Sequence, residues 1–146
     1  MKPENILISY DEKPKVADFG LSKLFDENSE KMITGTPQYT APEILNGDVA
    51  TKKSDVYSFG IMLFELYSES KAFENVKFDF HSILNFSSRN HFQIWKTVRN
   101  GERPILRDTD EGIPIEVMKI IQKCWSPIID VRPSFEEIEK YFKDLE

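Results

Sequence analysis

Apolar residues occur on every side of one helical stretch, from Ser54 to Tyr67. A surface helix gathers its apolar residues into one stripe, whereas a helix enclosed by other elements is apolar all round. The run is too short to span a bilayer and is interrupted by Ser58, Gly60 and Glu65, which argues against a membrane helix. We therefore expect a buried central helix around which the rest of the chain packs.

The start of this helix is predicted at Ser54 and Asp55. Ser54 is a suitable N-cap, and Asp55 places a carboxylate in the positive first turn. A buried aspartate at this point needs partners. Two roles remain open for Asp55: it caps its own helix, or it pins another segment of the chain to the central helix.

The segments before the central helix are predicted to be a hairpin, a long loop and a short helix. Two short apolar runs, Ile6 to Ile8 and Lys15 to Ala17, flank a turn and indicate a small β-hairpin. The polar segment from Leu21 to about Gln38 has no sustained period and predicts a loop. A proline in the first turn and a glycine behind the end favour a short helix from Pro42 to Leu45.

The segments after the central helix are predicted to be one ordered loop and three helices. Ser68 to Asn90 is interpreted as a loop whose aromatic residues dock on the surface. Asn100-Gly101 closes the next helix, Pro114 opens another, and Ser134 with Glu137 forms a capping box for the last. Apolar residues at helical spacing in these three helices are Phe92, Ile94, Trp95 and Val98, then Ile115, Met118, Ile121, Cys124 and Trp125, then Phe135, Ile138, Tyr141, Phe142 and Leu145. The fold is predicted to be one mostly helical unit with a hairpin at its front and no internal repeat.

Composition and charge narrow the classes of function. A chain of 146 residues fits one domain, and its net charge of −6 argues against nucleic acid or an anionic membrane surface as the main partner. The single cysteine, Cys124, excludes an internal disulfide and cannot build a zinc site with only His81 and His91. No signal peptide is visible at the N-terminus. We expect a cytoplasmic protein, with the nucleus as the other reducing compartment open to it.

Five short motifs carry the chemistry, and each is weak by itself. Their order and spacing make them specific: Lys2-Pro3-Glu4-Asn5, Asp18-Phe19-Gly20, Gly35 to Glu43, Ser54 to Gly60, and Arg132-Pro133. Together they resemble the C-terminal lobe of a eukaryotic protein kinase over nearly the whole chain. The resemblance implies a mainly α fold with a small β-hairpin, and a partial kinase domain over residues 1–146 that begins in the catalytic loop.

The resemblance implies ATP and Mg²⁺ as cofactors and a protein as substrate. Asn5 and Asp18 would hold the metal, because amide and carboxylate oxygens are hard ligands suited to Mg²⁺. Lys2 would contact the transferred phosphoryl group. Leu7 would form the apolar floor under the adenine, next to Asp18. Phe19 would pack inward and orient that aspartate.

The long loop would then be the activation segment, which begins at Asp18-Phe19-Gly20. Ser29, Thr34 and also Thr40 are hydroxyl residues that phosphorylation could use to order such a loop. Thr36 resembles the threonine that lies beside the catalytic base in serine/threonine kinases.

Four further residues acquire structural roles from the resemblance. Glu43 and Arg132 would form the buried ion pair that ties the end of the activation segment to the last helices. Met62 and Leu66 would support the adenine floor from the central helix.

The motifs combine features of two kinase classes. Lys2 to Asn5 and Gly35-Thr36 look like a serine/threonine kinase, whereas Cys124-Trp125 and Arg132 to Phe135 resemble tyrosine kinases. This mixture is similar to the tyrosine-kinase-like group. The chain departs from the family at Ile129, where a proline is usual, and in the length of Ser68 to Asn90.

The catalytic base of the family lies five residues before the metal-binding asparagine, which is one position before Met1. Loss of a general base costs on the order of 10² to 10⁴ in rate, so we expect the isolated chain to transfer no phosphate. We also expect Leu7, Phe19 and much of the central helix to be exposed, giving an apolar patch prone to association. Two functions remain: protein phosphorylation by a longer enzyme, or a non-catalytic, pseudokinase-like binding module that engages kinases through the helix around Trp95 and the substrate-facing loop. The metal ligands Asn5 and Asp18 favour the first.

Overall fold

The computed structural model describes residues 1–19, 36–74, 86–106 and 113–145, with the side chains of 86–90 left outside the description. Two strands and five helices follow one another in this part of the chain, together with 3₁₀ turns at Pro3–Asn5, Pro37–Tyr39 and Ile129–Val131. The elements are β1 (Ile6–Ile8), β2 (Pro14–Val16), α1 (Pro42–Leu45), α2 (Lys52–Ser68), α3 (Phe86–Arg99), α4 (Ile115–Cys124) and α5 (Phe135–Lys143). The mainly α fold with one hairpin is therefore confirmed.

The strands β1 and β2 pair antiparallel, with Leu7 opposite Lys15. The turn between them is closed by Ser9, whose hydroxyl donates to the Asp11 carboxylate and to the Lys13 carbonyl, both at 2.7 Å. The predicted hairpin is confirmed, with its second strand one residue earlier than expected.

Helix α2 begins one turn before the predicted position. The Thr51 hydroxyl accepts a hydrogen bond from the Lys53 N–H, while the Ser54 hydroxyl accepts one from the Thr51 N–H, each at 3.2 Å. Thr51 is therefore the N-cap, and the prediction that Ser54 caps the helix was wrong. Asp55 is not buried as expected, since 61% of its side chain is exposed; one of its oxygens lies 3.8 Å from the Met1 nitrogen.

Helix α2 is enclosed on most sides but not on all. Its buried residues include small ones that admit close neighbours, and they are Ser54, Val56, Tyr57, Ser58, Gly60, Ile61, Leu63 and Phe64. Asp55, Phe59, Met62 and Leu66 lie on one remaining face, where Leu66 is 68% exposed. Leu7 and Phe19 are exposed as well, at 56% and 66%. The expected exposure of Leu7 and Phe19 is thus observed, whereas the expectation that much of the central helix is exposed was wrong, because only one face of α2 is uncovered.

Helix α4 packs directly on α2 at Gly60. A Cβ atom at position 60 would lie 2.7 Å from the Cβ of Cys124 and 3.3 Å from the backbone nitrogen of Trp125. Neither atom is the end of a flexible side chain, so the two helices would have to move apart. Gly60 therefore sets the distance between them.

We expect Gly60→Ala to lower the free energy of unfolding by about 1–3 kcal/mol, the usual cost of overpacking. Alanine is preferred over glycine in a helix by about 1 kcal/mol, which offsets only part of that cost. Urea denaturation measures the change, and Gln122→Ala on the exposed side of α4 is the control, expected within about 0.5 kcal/mol of the parent. A Gly60→Ala protein as stable as the parent would show that the helices separate without cost.

The inward face of α4 differs from the predicted stripe. Val117 and Ile120 are buried together with Ile121 and Cys124, whereas Ile115 is 53% exposed. Ile115 is the first residue after the N-cap Pro114, and the helix begins with this residue turned to the surface. The prediction was therefore correct for the last turn of the helix and for Met118, which is half-buried against the core, and wrong for Ile115.

Helix α5 has the predicted capping box. The Ser134 hydroxyl accepts from the Glu137 N–H, and the Glu137 carboxylate accepts from the Ser134 N–H at 2.7 Å. Phe135 packs edge-on against Phe59 of α2, with ring centroids 5.7 Å apart. Ile138 is the fully buried member of the predicted stripe, and Leu145, just past the helix end, is 47% exposed.

Helix α3 begins at Phe86, so the prediction of a loop up to Asn90 was wrong in its last five residues. Phe73 is buried, as expected for a docked aromatic, whereas Phe78 and Phe80 lie outside the described residues. The helix ends before Gly101, whose φ of +84° favours glycine.

Within the described ranges, no helix is both long enough and apolar enough to cross a membrane.

Candidate active site and its supporting contacts

The backbone brings three of the predicted site residues to one end of the hairpin. The Asn5 N–H donates to the Lys2 carbonyl at 3.0 Å, and the Ala17 N–H donates to the Asn5 carbonyl at 2.7 Å. Asp18 follows Ala17 directly, so the amide of Asn5 and the carboxylate of Asp18 start from neighbouring backbone positions. Oxygen ligands of these two kinds fit Mg²⁺, which is usually held by one or two carboxylates together with phosphate and water.

Asp18 has a left-handed backbone, with φ of +59°. This conformation is uncommon for residues other than glycine, although aspartate tolerates it better than most. It turns the chain away from the direction of β2 just where the candidate metal ligand lies. Among the described residues, no group of three or more His, Cys, Asp and Glu side chains could hold a metal.

Phe19 does not pack inward as the resemblance implied, because 66% of its surface is exposed. The described part of the chain provides no apolar cover for its ring. Leu7, the predicted adenine-floor residue, is also solvent-exposed in the middle of β1. Met62 and Leu66 lie one turn apart on α2, the first half-buried and the second exposed.

Three residues of the predicted activation segment, Gly20, Ser29 and Thr34, lie outside the described residues. Thr36 precedes the Pro37–Tyr39 turn, and its carbonyl accepts the Thr40 hydroxyl at 3.1 Å. Thr40 is only 8% exposed. The Thr40 hydroxyl is therefore buried and engaged in this conformation, and its phosphorylation stays a prediction.

Glu43 and Arg132 form a bidentate ion pair. Nη1 of Arg132 lies 2.7 Å from one carboxylate oxygen, and Nη2 lies 2.8 Å from the other. The Ser54 hydroxyl donates to the same carboxylate at 2.9 Å, and Nε of Arg132 donates to the Ser126 carbonyl at 2.9 Å. Lys53 adds a bond from its ammonium group to the Arg132 carbonyl. This network joins α1, the start of α2 and the segment before α5.

A second network, absent from the sequence prediction, supports the segment around Tyr39. The Tyr39 hydroxyl donates to the Glu65 carboxylate at 2.5 Å, and the other oxygen of Glu65 accepts the Ala72 N–H at 2.8 Å. The Ser58 hydroxyl donates to the Tyr39 carbonyl at 2.7 Å. Burial, and next the bond to Glu65, raise the pKa of Tyr39. A glutamate within an otherwise apolar helix was the signal in the sequence that could have revealed this network.

We expect Tyr39→Phe to lower the free energy of unfolding by about 1.5–3 kcal/mol, because a hydrogen bond to a charged acceptor is lost. Tyr141→Phe is the matched control, since the Tyr141 hydroxyl donates to the neutral Glu116 carbonyl at 2.9 Å. Its loss should cost about 1 kcal/mol. Urea denaturation of both variants measures the difference, and equal costs would contradict a special role for Glu65.

Comparison with known proteins gives one family and many relatives. The family described as "Protein kinase domain" matches residues 1–142. The chain is 33% identical to human "Receptor-interacting serine/threonine-protein kinase 1", with 98% of this chain and 22% of that protein covered. It is 34% identical to the "Protein kinase and PP2C-like domain-containing protein" of Oryza sativa subsp. japonica, with 100% of this chain and 25% of that protein covered. It is 31% identical to "Dual specificity protein kinase shkA" of Dictyostelium discoideum, with 99% of this chain and 26% of that protein covered. The chain thus spans about a quarter of the length of these relatives.

Proposed function

The chain belongs to the protein kinase domain family, and on this basis we propose that residues 1–146 form the C-terminal lobe, from the catalytic loop onward, of a serine/threonine kinase of the tyrosine-kinase-like group. The complete enzyme transfers the γ-phosphate of ATP to serine and threonine hydroxyls of proteins. Relatives named as serine/threonine-protein kinases support this choice of acceptor.

The observation that supports the proposal most directly is that Asn5 and Asp18 start from neighbouring backbone positions at the end of the hairpin. Asn5 and Asp18 would hold Mg²⁺, which would neutralise the phosphate charge during transfer. Lys2 contributes a positive charge to the transferred group. Leu7 offers its exposed side chain to the adenine ring, and Thr36 lies near the accepting hydroxyl. A module used only for binding has no physical need for this pair of metal ligands.

The Glu43–Arg132 pair and the Tyr39–Glu65 bond fix the segment from Thr36 to Leu45 to the central helix. A substrate-facing segment needs such support, because a misplacement of about 1 Å can cost on the order of 100-fold in rate. These residues position the site and do not take part in the chemistry.

Phosphate transfer from ATP labelled on its γ-phosphate tests the proposal. The protein made from the complete open reading frame should label peptides that contain serine or threonine in the presence of Mg²⁺. The 146-residue chain by itself should not, because the catalytic aspartate of the family motif is not among its residues. Labelling of tyrosine peptides alone would contradict the serine/threonine assignment.

The alternative function, a non-catalytic binding module, predicts the opposite result for the complete product. It would transfer no phosphate under any metal condition and would still bind a kinase partner. The same assay therefore decides between the two functions.

A further inference from the structure

A cavity of about 330 Å³ lies between the second half of α4 and the segment that follows that helix. Its lining combines cationic side chains with apolar surface. The cations belong to Arg103, Lys119 and Lys123, and the apolar surface to Trp125, Pro127 and Val131. No carboxylate lines it within the described part of the chain.

Arg103 is held in this lining by neutral acceptors. Its Nε donates to the Trp125 carbonyl at 2.8 Å, and its Nη1 donates to the Glu102 carbonyl at 2.7 Å. The guanidinium lies 5.1 Å from the centre of the Tyr57 ring. Its Nη2 is buried without a hydrogen-bond partner among the described residues. The positive charge is thus fixed in place and not neutralised by a carboxylate there.

Arg132 is a second buried guanidinium, and it differs from Arg103 in having a carboxylate partner. It lies 5.2 Å from the centre of the same tyrosine ring and is paired with Glu43. Burial lowers the pKa of Arg103; the charge of Arg132 adds to this effect, while Tyr57 and, more weakly, Glu43 oppose it. A buried charge without a partner is costly, so an anion near Arg103 would be favourable.

Lys119 and Lys123 extend the positive charge along α4. They are exposed, lie one helical turn apart and pair with no carboxylate among the described residues. The chain as a whole carries a net charge of −6. A cluster of three cations on an acidic protein provides charge complementarity toward an anionic partner.

Apolar surface continues beyond the cavity. Ile128, which is not part of the lining, is 62% exposed, and Val131 of the lining is 52% exposed. A free phosphate would satisfy the cations but would leave this apolar surface in water. A peptide that carries both carboxylates and an apolar side chain matches both parts of the surface.

We propose that the cavity, together with Ile128 and Val131, is a docking site for an acidic peptide segment of a protein partner, with an apolar side chain of that segment inserted against Trp125 and Val131. Docking here goes beyond phosphoryl transfer and does not depend on it. Binding is therefore measurable without ATP or metal.

Fluorescence anisotropy with three labelled peptides tests the proposal. One peptide carries a central pair of leucines flanked by glutamates, the second has serines in place of the leucines, and the third has lysines in place of the glutamates. The Lys119→Glu/Lys123→Glu variant is compared with Lys96→Glu/Lys140→Glu, which reverses two exposed lysines on α3 and α5. Both variants change the net charge equally and leave Arg103 in place.

We expect saturable binding of the first peptide, at least about tenfold weaker binding to the α4 variant, and a change of less than about twofold for the control variant. The serine peptide should bind at least about fivefold more weakly and the lysine peptide not at all. Absence of binding to the parent chain, or equal weakening in both variants, would overturn the docking site. Equal binding of the leucine and serine peptides, displaced by inorganic phosphate, would overturn the peptide as ligand in favour of a small anion.

Discussion

Replacement of Arg132 with methionine is expected to lower the free energy of unfolding by about 3–5 kcal/mol, because it leaves the Glu43 carboxylate buried without its partner. Glu43 is 6% exposed and Arg132 is 1% exposed, so water cannot replace the lost bonds. Urea denaturation followed by circular dichroism measures the change. Lys123→Met, which removes an exposed cation from α4, is the matched control and should stay within about 0.5 kcal/mol of the parent.

A double-mutant cycle separates the pair from its surroundings. Glu43→Gln with Arg132→Met removes both charges, and it should cost less than the sum of the two single changes. Additive costs would show that the two side chains act independently, contrary to the bidentate geometry.

The pH dependence of stability gives a second measure of this pair. Burial opposes the ionisation of Glu43, but the hydrogen bonds from Arg132 and the backbone outweigh it and lower the pKa of the carboxyl below its ordinary 4.5. A depressed pKa in the folded state stabilises the protein above the unfolded-state pKa. We therefore expect the contribution of Glu43 to be complete above about pH 4.5 and to be lost as the pH falls through the folded-state value. In Glu43→Gln this part of the acid dependence should disappear.

Much of the fold follows from local patterns in the sequence. The hairpin, α1, the central helix and the last capping box depend on residues close to one another, so their signals are strong. The predictions were wrong where a contact with a residue distant in the sequence determines the structure. Ser54 looks like an N-cap, but its hydroxyl also donates to Glu43, and Thr51 takes the cap. Asp55 was expected to be buried, because nothing local reveals which face of α2 is left uncovered.

Under the proposed function, substitution of Asp18 with asparagine is expected to lower the rate of phosphoryl transfer by the complete enzyme by about 10²-fold or more, because the proposed metal ligand loses its charge. Asparagine also tolerates the left-handed backbone that Asp18 adopts, so the fold should be retained. The measurement is kcat for a serine or threonine peptide over a range of Mg²⁺ concentrations, together with the melting temperature. Partial recovery at high Mg²⁺ would indicate that the defect lies in metal binding.

Asp11→Asn is the control for this substitution, since Asp11 is an exposed carboxylate in the turn of the same hairpin. We expect it to change kcat by less than about twofold. An Asp18→Asn enzyme as active as the Asp11→Asn enzyme would rule out Asp18 as the metal ligand.

The candidate site shows a different limit of sequence reasoning. The motif order indicated Asn5 and Asp18 correctly as neighbours, because a hairpin places its two ends together. The supporting contacts were harder to foresee. Tyr39 and Glu65 are 26 residues apart, and only the packing of the 3₁₀ turn against α2 brings them together. The family resemblance gives Phe19 an inward position, but its exposure was expected in this chain and is observed, because cover for this ring depends on elements other than its own motif.

The separation between Glu43 and Arg132 also affects how the protein is made. The two residues are 89 positions apart, so at 5–20 residues per second about 4–18 seconds pass between their incorporation by the ribosome. In the part of this interval between Ser68 and Ile115, α1 and α2 have been synthesised, but neither the counter-charge of Glu43 nor helix α4, which covers Gly60, has been made. Until α4 is made, the surface of α2 around Gly60 therefore lacks the cover that this helix provides. We therefore expect the packing of α4 and of the segment around Arg132 onto α1 and α2 to be a late step of folding.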